Sequence, residues 1–351
     1  MLLPLLGRIR TLRTQVRSLL YLYFIFVFAS ALTSYFVQIS IFDRFSNVSI
    51  NIISVMLSFT GLMVGFCVFG YIFSHYKLDA KLGFYYSFIC FAVGLLLLSK
   101  VETLSLTYLA MFIYGMGGGF FWLTIHTYEL TETKDEERDF YSSVLTGGII
   151  FISVIAPLLA TVIIWLAMYV FHVPSFGLLF TVAPCVYLLG LFCFKGIQTY
   201  RPERIEFEDI THFLFEKRNR SAQLYVGGGG VQHLLGEILF PLVFLSILGS
   251  ELKVGAYSTF AGLLSVAFIL IIGHYRNKQN RIFLFGLSAF GISLLLVLLG
   301  IFPSILMLII FTIGNTFLSP IMKVSDHVVS LQTMESIGRS KKDFYATMIL
   351  R

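Results

Sequence analysis

Ten stretches of the chain are apolar over about the 20 residues that a helix needs to cross a bilayer. They fall at roughly residues 19–42, 50–73, 82–98, 104–127, 143–170, 175–194, 224–248, 255–273, 282–302 and 304–324. Each is too long for a buried strand and is bounded by turn residues, which predicts helix. Inside a bilayer the backbone must satisfy its own N–H and C=O groups, and this too selects helices over an open sheet. The pattern predicts an all-α membrane protein of ten spans plus the start of an eleventh.

Composition sharpens this. Of 351 residues, 57% are hydrophobic and 13% charged, where a soluble domain carries about 25% charged residues. Too few polar groups exist to cover a water-facing surface, which excludes a soluble enzyme. The net charge of +6 is dispersed over loops rather than gathered in a patch, so no nucleic-acid partner is expected. Cys67, Cys90, Cys185 and Cys193 all lie inside apolar runs and read as packing or lipid-facing residues, not as a disulfide framework.

Basic residues orient the spans. With the N-terminus in the cytoplasm, twenty of the 25 Lys and Arg fall on the inside and only Arg44, Lys100 and Lys253 lie in outside loops. That asymmetry is the positive-inside pattern. The N-terminal arginines followed by an apolar stretch and Ala29-Ser30-Ala31 resemble a secretory signal, but the run continues to Phe42 and is read as a span. The longest connection, residues 196–222, is a cytoplasmic linker between an N-terminal half (1–195) and a C-terminal half (223–351). Ile205, Ile210, Phe213 and Leu214 in it fall near helical spacing, so it is either an amphipathic surface helix or a solvated tether.

An internal repeat relates the halves. Arg138-Asp139-Phe140-Tyr141 after the fourth run and Lys342-Asp343-Phe344-Tyr345 after the tenth share Asp, Phe and Tyr at an offset of 204. Gly70 opens a short basic loop with Lys77 and Lys81, and Gly273, at an offset of 203, opens one with Arg276, Lys278 and Arg281. Same-sense repeats split by a central cytoplasmic loop describe one large transporter fold, and the chain resembles the major facilitator superfamily. The family signature in the loop after span two is Gly, three residues, Asp-Arg, then Gly and a basic pair. Here Gly70 matches, Ser74 and His75 stand where Asp and Arg belong, and basic character remains at Lys77 and Lys81. Ala156-Pro157 and Ala160 resemble the Gly-Pro…Gly of antiporter members.

The resemblance implies a bundle of two parallel six-helix repeats, no cofactor, and secondary transport of a small solute coupled to a proton or sodium. It also implies a monomer in the plasma (inner) membrane. At an offset of 204, Arg351 corresponds to residue 147, so the second half falls about 48 residues short of the first; a truncated repeat lacking spans eleven and twelve is expected. Two rivals are a non-transporting scaffold or lipid-handling protein, and a ten-helix transporter of inverted five-helix repeats. The same-sense offset speaks against the latter.

Enzyme motifs are absent: no His-Glu-x-x-His, no phosphate-binding Gly-rich loop, no nucleophile elbow. Gly61-x-x-x-Gly65 and Gly115-x-x-x-Gly119 are read as close helix contacts. The residues from Glu129 to Asp139 read as an acidic, solvated loop, and His126 as a wetted helix end. The polar residues within spans are the candidates for solute or proton: Gln38, Trp122, Gln232, His233, Glu237 and Asn315. Glu237 lies about 14 residues, or ~21 Å, into its run, near the midplane, where a carboxylate is costly and defaults to function; His233 sits one turn earlier on the same face. By analogy with the family, Arg138, Asp139, Lys342 and Asp343 are assigned to gating of the cytoplasmic side.

Overall fold

A computed structural model describes residues 13–100, 103–132, 135–202, 204, 206, 240–272 and 281–337. The described residues form ten helices and no strand. In chain order they are α1 (Thr14–Phe45), α2 (Val48–His75), α3 (Leu82–Ser99), α4 (Leu104–Glu132), α5 (Asp135–Tyr169), α6 (Ser175–Leu189), α7 (Phe240–Leu248), α8 (Glu251–Ile272), α9 (Arg281–Ile301) and α10 (Ile305–Ile337). Six of them, α1 to α6 with the 3-10 turn after α6, carry segments long and apolar enough to cross a membrane. Shorter apolar segments lie in α9 and α10, and α7 and α8 meet at a sharp bend. The chain is therefore an integral, multi-pass helical membrane protein. Large apolar side chains such as Met63, Phe192 and Phe290 cover the outside of the bundle, as a lipid-facing surface requires.

Two local features differ from expectation. Glu129 to Asp139 is not a loop: α4 continues through Glu132 and α5 begins at Asp135, so most of the carboxylates sit on helical turns. α10 likewise runs to Ile337, well past the apolar run that ended near residue 324.

Helix ends explain the tight connections. At the turn between α1 and α2, Ser46 takes a left-handed conformation with its N–H on the Phe42 carbonyl, and the Asn47 side chain accepts from Ser49 N at 2.8 Å. This is a C-cap followed at once by an N-cap. Four residues into α2, Asn51 Nδ2 donates to the Gln38 carbonyl at 2.9 Å and ties the hairpin together. At the other end of α2, Lys77 has φ 49° while Leu78 N bonds to Phe73 O and Lys77 N to Ser74 O. That is a Schellman turn with lysine where glycine is favoured. Lys77→Gly removes a left-handed strain of about 1 kcal/mol and is expected to raise the melting midpoint in detergent; an unchanged or lower midpoint contradicts the assignment.

Glycines set the packing of the N-terminal half. α2 and α4 approach backbone to backbone: a Cβ at Gly61 would lie 2.1 Å from Phe112 O, and one at Gly119 would lie 2.3 Å from Leu62 O. The paired Gly-x-x-x-Gly stretches are therefore packing surfaces, as small-residue seams in membranes are. On the other flank of α4, Ser87 Oγ of α3 donates to Gly117 O at 2.8 Å. An aromatic core fills the centre, with Phe26 of α1 stacked on Phe121 of α4 at 3.6 Å and Phe91 of α3 on Tyr187 of α6 at 4.7 Å.

The two groups of helices meet along α5 and α8. A Cβ at Gly255 would meet Thr161 Oγ1, and one at Gly262 would lie 3.0 Å from Ser153 O. Pro157 lies inside α5 and supplies no N–H to the Ser153 carbonyl, and that carbonyl faces α8 at Gly262. Phe36, Ala160, Phe244 and Val254 join one buried core across this contact. The contact lies toward the end where α1 finishes, opposite the end that carries the basic loops.

Candidate functional site

At the basic end, α4 presents Trp122, His126 and Glu129 at i, i+4 and i+7, which puts them on one helix face. The indole of Trp122 stacks on the His126 ring at 5.4 Å and 24°. Tyr23 and Phe26 of α1 meet Trp122 edge-on at 5.8 and 5.5 Å. One turn on, Glu129 Oε2 lies 3.0 Å from His126 Nδ1, and Glu129 Oε1 accepts from the Tyr141 hydroxyl of α5 at 2.9 Å. The cluster thus joins α1, α4 and α5.

Local packing places each member. Val16 and Leu20 of α1 form a buried cluster with Tyr141 and Val144 of α5, and Phe24 of α1 lies against Gly148. These contacts bring the start of α5 alongside α1 and α4. Arg13 Nη2 donates to the Glu132 carbonyl at the end of α4, where a cation also opposes the negative end of the helix dipole. Burial, and then the neighbouring Glu129 carboxylate, push the Tyr141 hydroxyl well above the usual tyrosine range, so it remains a donor. His126 and Glu129 are about one-fifth exposed, at 23% and 19%.

A second polar network lies on the opposite face of α4. Asp79, in the loop between α2 and α3, accepts through Oδ1 from Lys81 N at 3.0 Å, Tyr200 N at 3.3 Å and Tyr128 Oη at 3.4 Å. Tyr128 Oη also donates to Gln198 O at 2.9 Å, and Lys81 Nζ to Ile197 O at 3.2 Å. The segment leaving α6 is thereby bound to the loop that leaves α2.

Among the residues singled out from sequence, Trp122 lies in the α1–α4–α5 cluster. Gln38 is buried near the far end of α1, 15 residues beyond Tyr23 or ~22 Å along the helix, so it does not join Trp122. Asn315 is half-buried on α10, one turn beyond Phe311, which packs on Phe240 at 5.3 Å. Arg138 and Asp139 lie on the first turns of α5. Gln232, His233, Glu237, Lys342 and Asp343 lie outside the described residues, as does most of the 196–222 linker. Sequence reading passed over Glu129, Tyr141 and Tyr23. The signal that finds Glu129 is its i+7 spacing from Trp122 on a helix continued past residue 127. Tyr23 and Tyr141 carry no such signal, because they reach the cluster from other helices. Among the described residues, no three His, Cys, Asp or Glu side chains gather as a metal site.

The model of the Major Facilitator Superfamily matches residues 19–329. No curated protein sequence matches the chain. Among solved structures, the chain is similar to a peptide transporter, POT, in complex with sulfate, with TM-score 0.61 and 16% identity over 96% of this chain and 87% of that one. It is also similar to the nucleoside transporter NupG, with TM-score 0.62 and 12% identity over 96% and 86% of the two chains. At such identities the likeness concerns the fold.

Proposed function

The chain belongs to the major facilitator superfamily, and on that premise we propose that this membrane transporter is a secondary active carrier of a small solute, working by alternating access. The observation that carries the reading is the family match across most of the chain. The half-buried Trp122–His126–Glu129 face between α1, α4 and α5 supplies it with a polar site. We place the protein as a monomer in the plasma (inner) membrane with its N-terminus and basic loops in the cytoplasm. We divide it into an N-terminal half to residue 195, a linker over 196–222 and a C-terminal half from 223, with the spans arranged as two same-sense repeats. The driving ion is a proton or sodium.

Under this reading Glu237, with His233 and Gln232, serves as a solute or proton site, together with Gln38, Trp122 and Asn315. Arg138, Asp139, Lys342 and Asp343 gate the cytoplasmic side. Purified protein in liposomes is expected to accumulate at least one member of a panel of sugars, amino acids, peptides and nucleosides when a proton or sodium gradient is imposed. Folded protein with no gradient response over the panel would refute it. Glu237→Gln keeps shape and hydrogen bonding but deletes the titratable charge, and gradient-driven uptake should fall at least tenfold. Normal uptake with unchanged pH dependence would leave Glu237 a packing residue.

A further inference from the structure

Three side-chain oxygens on the α1–α2 hairpin are sealed from solvent: Gln38 Oε1, Asn51 Oδ1 and Ser54 Oγ, on residues 3%, 0% and 0% exposed. None has a hydrogen-bond partner among the described residues. A buried acceptor or hydroxyl left unpaired is costly, and folded proteins keep few of them. Gln38 lies seven residues before the end of α1 and Ser54 six residues after the start of α2, so both sit ~10 Å down the hairpin. Asn51 precedes Ser54 by one turn on the same side of α2, and its Nδ2 reaches across to the Gln38 carbonyl at 2.9 Å. That bond also fixes which end of the Asn51 amide is the oxygen. Their neighbours in sequence, Val37, Ile39 and Val55, are buried apolar side chains with nothing to offer these oxygens.

Ser54 differs from the other hydroxyls on these helices. Thr33, Thr60, Thr127 and Thr161 each give their hydrogen to the carbonyl four residues back, whereas the Ser54 hydroxyl makes no such bond. The hairpin therefore carries two amide acceptors and one unused hydroxyl donor. A water molecule is their complement, with two hydrogens to give and lone pairs to receive a third. An alkali cation would bind the same oxygens, but it would strand the Ser54 hydrogen and bury a charge that none of the three residues balances. We propose that the hairpin holds a buried water molecule that donates to Gln38 Oε1 and Asn51 Oδ1 and accepts from the Ser54 hydroxyl. This water pins α1 to α2 whether or not the chain carries a solute.

Two measurements test the site on the full chain. A map of the wild-type protein in lipid nanodiscs, at a resolution that shows ordered water, is expected to hold one water peak within about 2.7–3.2 Å of all three oxygens. No peak, or a peak touching one oxygen alone, overturns the bridge. In SDS titration, Gln38→Met and Ser54→Ala are each expected to raise the unfolding constant about tenfold, since either change leaves the other oxygens short of a partner. The double variant should fall well short of the product of the two, because the second change removes a group already orphaned by the first. Single variants as stable as wild type, or more so, would mean that the oxygens lie dry, and multiplicative effects would mean that they share no ligand; either overturns the proposal. Replacing sodium with choline should leave the wild-type unfolding constant unchanged. A sodium-dependent shift that disappears in Ser54→Ala would identify a cation and overturn the water.

Discussion

Gly115→Leu is expected to yield no stable protein, and Gly115→Ala to lose stability at or above the upper end of the usual overpacking range of about 1–3 kcal/mol. A Cβ at Gly115 would lie 1.8 Å from Ser58 O and 2.8 Å from Ser58 Cα. Those atoms are backbone of α2, and no rotamer change moves them. α2 and α4 would have to separate, which also opens the contacts at Gly61, Gly65 and Gly119 on the same seam. In lipid, helix association relies on such close packing, because the tails are as apolar as the side chains. A control follows from Gly147 on α5, where an added Cβ meets nothing within 4 Å. Gly147→Ala is expected to gain up to about 1 kcal/mol through helix propensity alone. Melting followed by monodispersity in detergent separates the two; a Gly115→Ala protein that melts like wild type would mean that the helices do not meet there.

Asp79→Ala is expected to cost about 2–3 kcal/mol, because it strips one acceptor from several donors. The N–H groups of Lys81 and Tyr200 both converge on Oδ1, and each donor left without a partner costs about 1–3 kcal/mol if water cannot replace the carboxylate. Tyr128 retains its bond to Gln198 O, so its share of the loss is small. Asp79→Asn preserves an oxygen at that position and should recover most of the stability. The network also restrains the segment that leaves α6, and Arg204 beyond it is exposed, whereas Arg201 precedes Pro202 and is closed to trypsin. Tryptic cleavage there should rise severalfold in Asp79→Ala and much less in Asp79→Asn. Equal cleavage in all three proteins would show that Asp79 does not hold this segment.

The limits of sequence reading are visible at α4. Its apolar run was plain, since membrane crossing demands about 20 apolar residues in a row and that demand is local. Its end was not, because nothing in the composition of residues 129–139 distinguishes a solvated loop from helix turns that pack on a neighbour. Read as a loop, that stretch leaves Glu129 a surface carboxylate and His126 a helix-end residue. Once α4 runs to Glu132, both fall on the face of Trp122. The Gly-x-x-x-Gly stretches were legible for the opposite reason: small residues one turn apart form a flat strip wherever the helix goes, although which helix lies on it is a separate matter.

Helix content, the spans of the first half and the membrane setting thus follow from runs of neighbouring residues, each of which answers to the bilayer on its own. The pairing of α2 with α4, the approach of α8 to α5 at Gly262, and the meeting of Tyr23, Trp122, His126, Glu129 and Tyr141 do not. Tyr23 and Trp122 stand about a hundred positions apart, and they touch because aromatic and glycine surfaces on separate helices fit one another. Hydropathy states that a helix must be buried in lipid but is nearly uniform around its circumference. Which side turns inward is therefore a property of the assembled bundle, where shape and hydrogen bonding discriminate between faces that look alike along the chain.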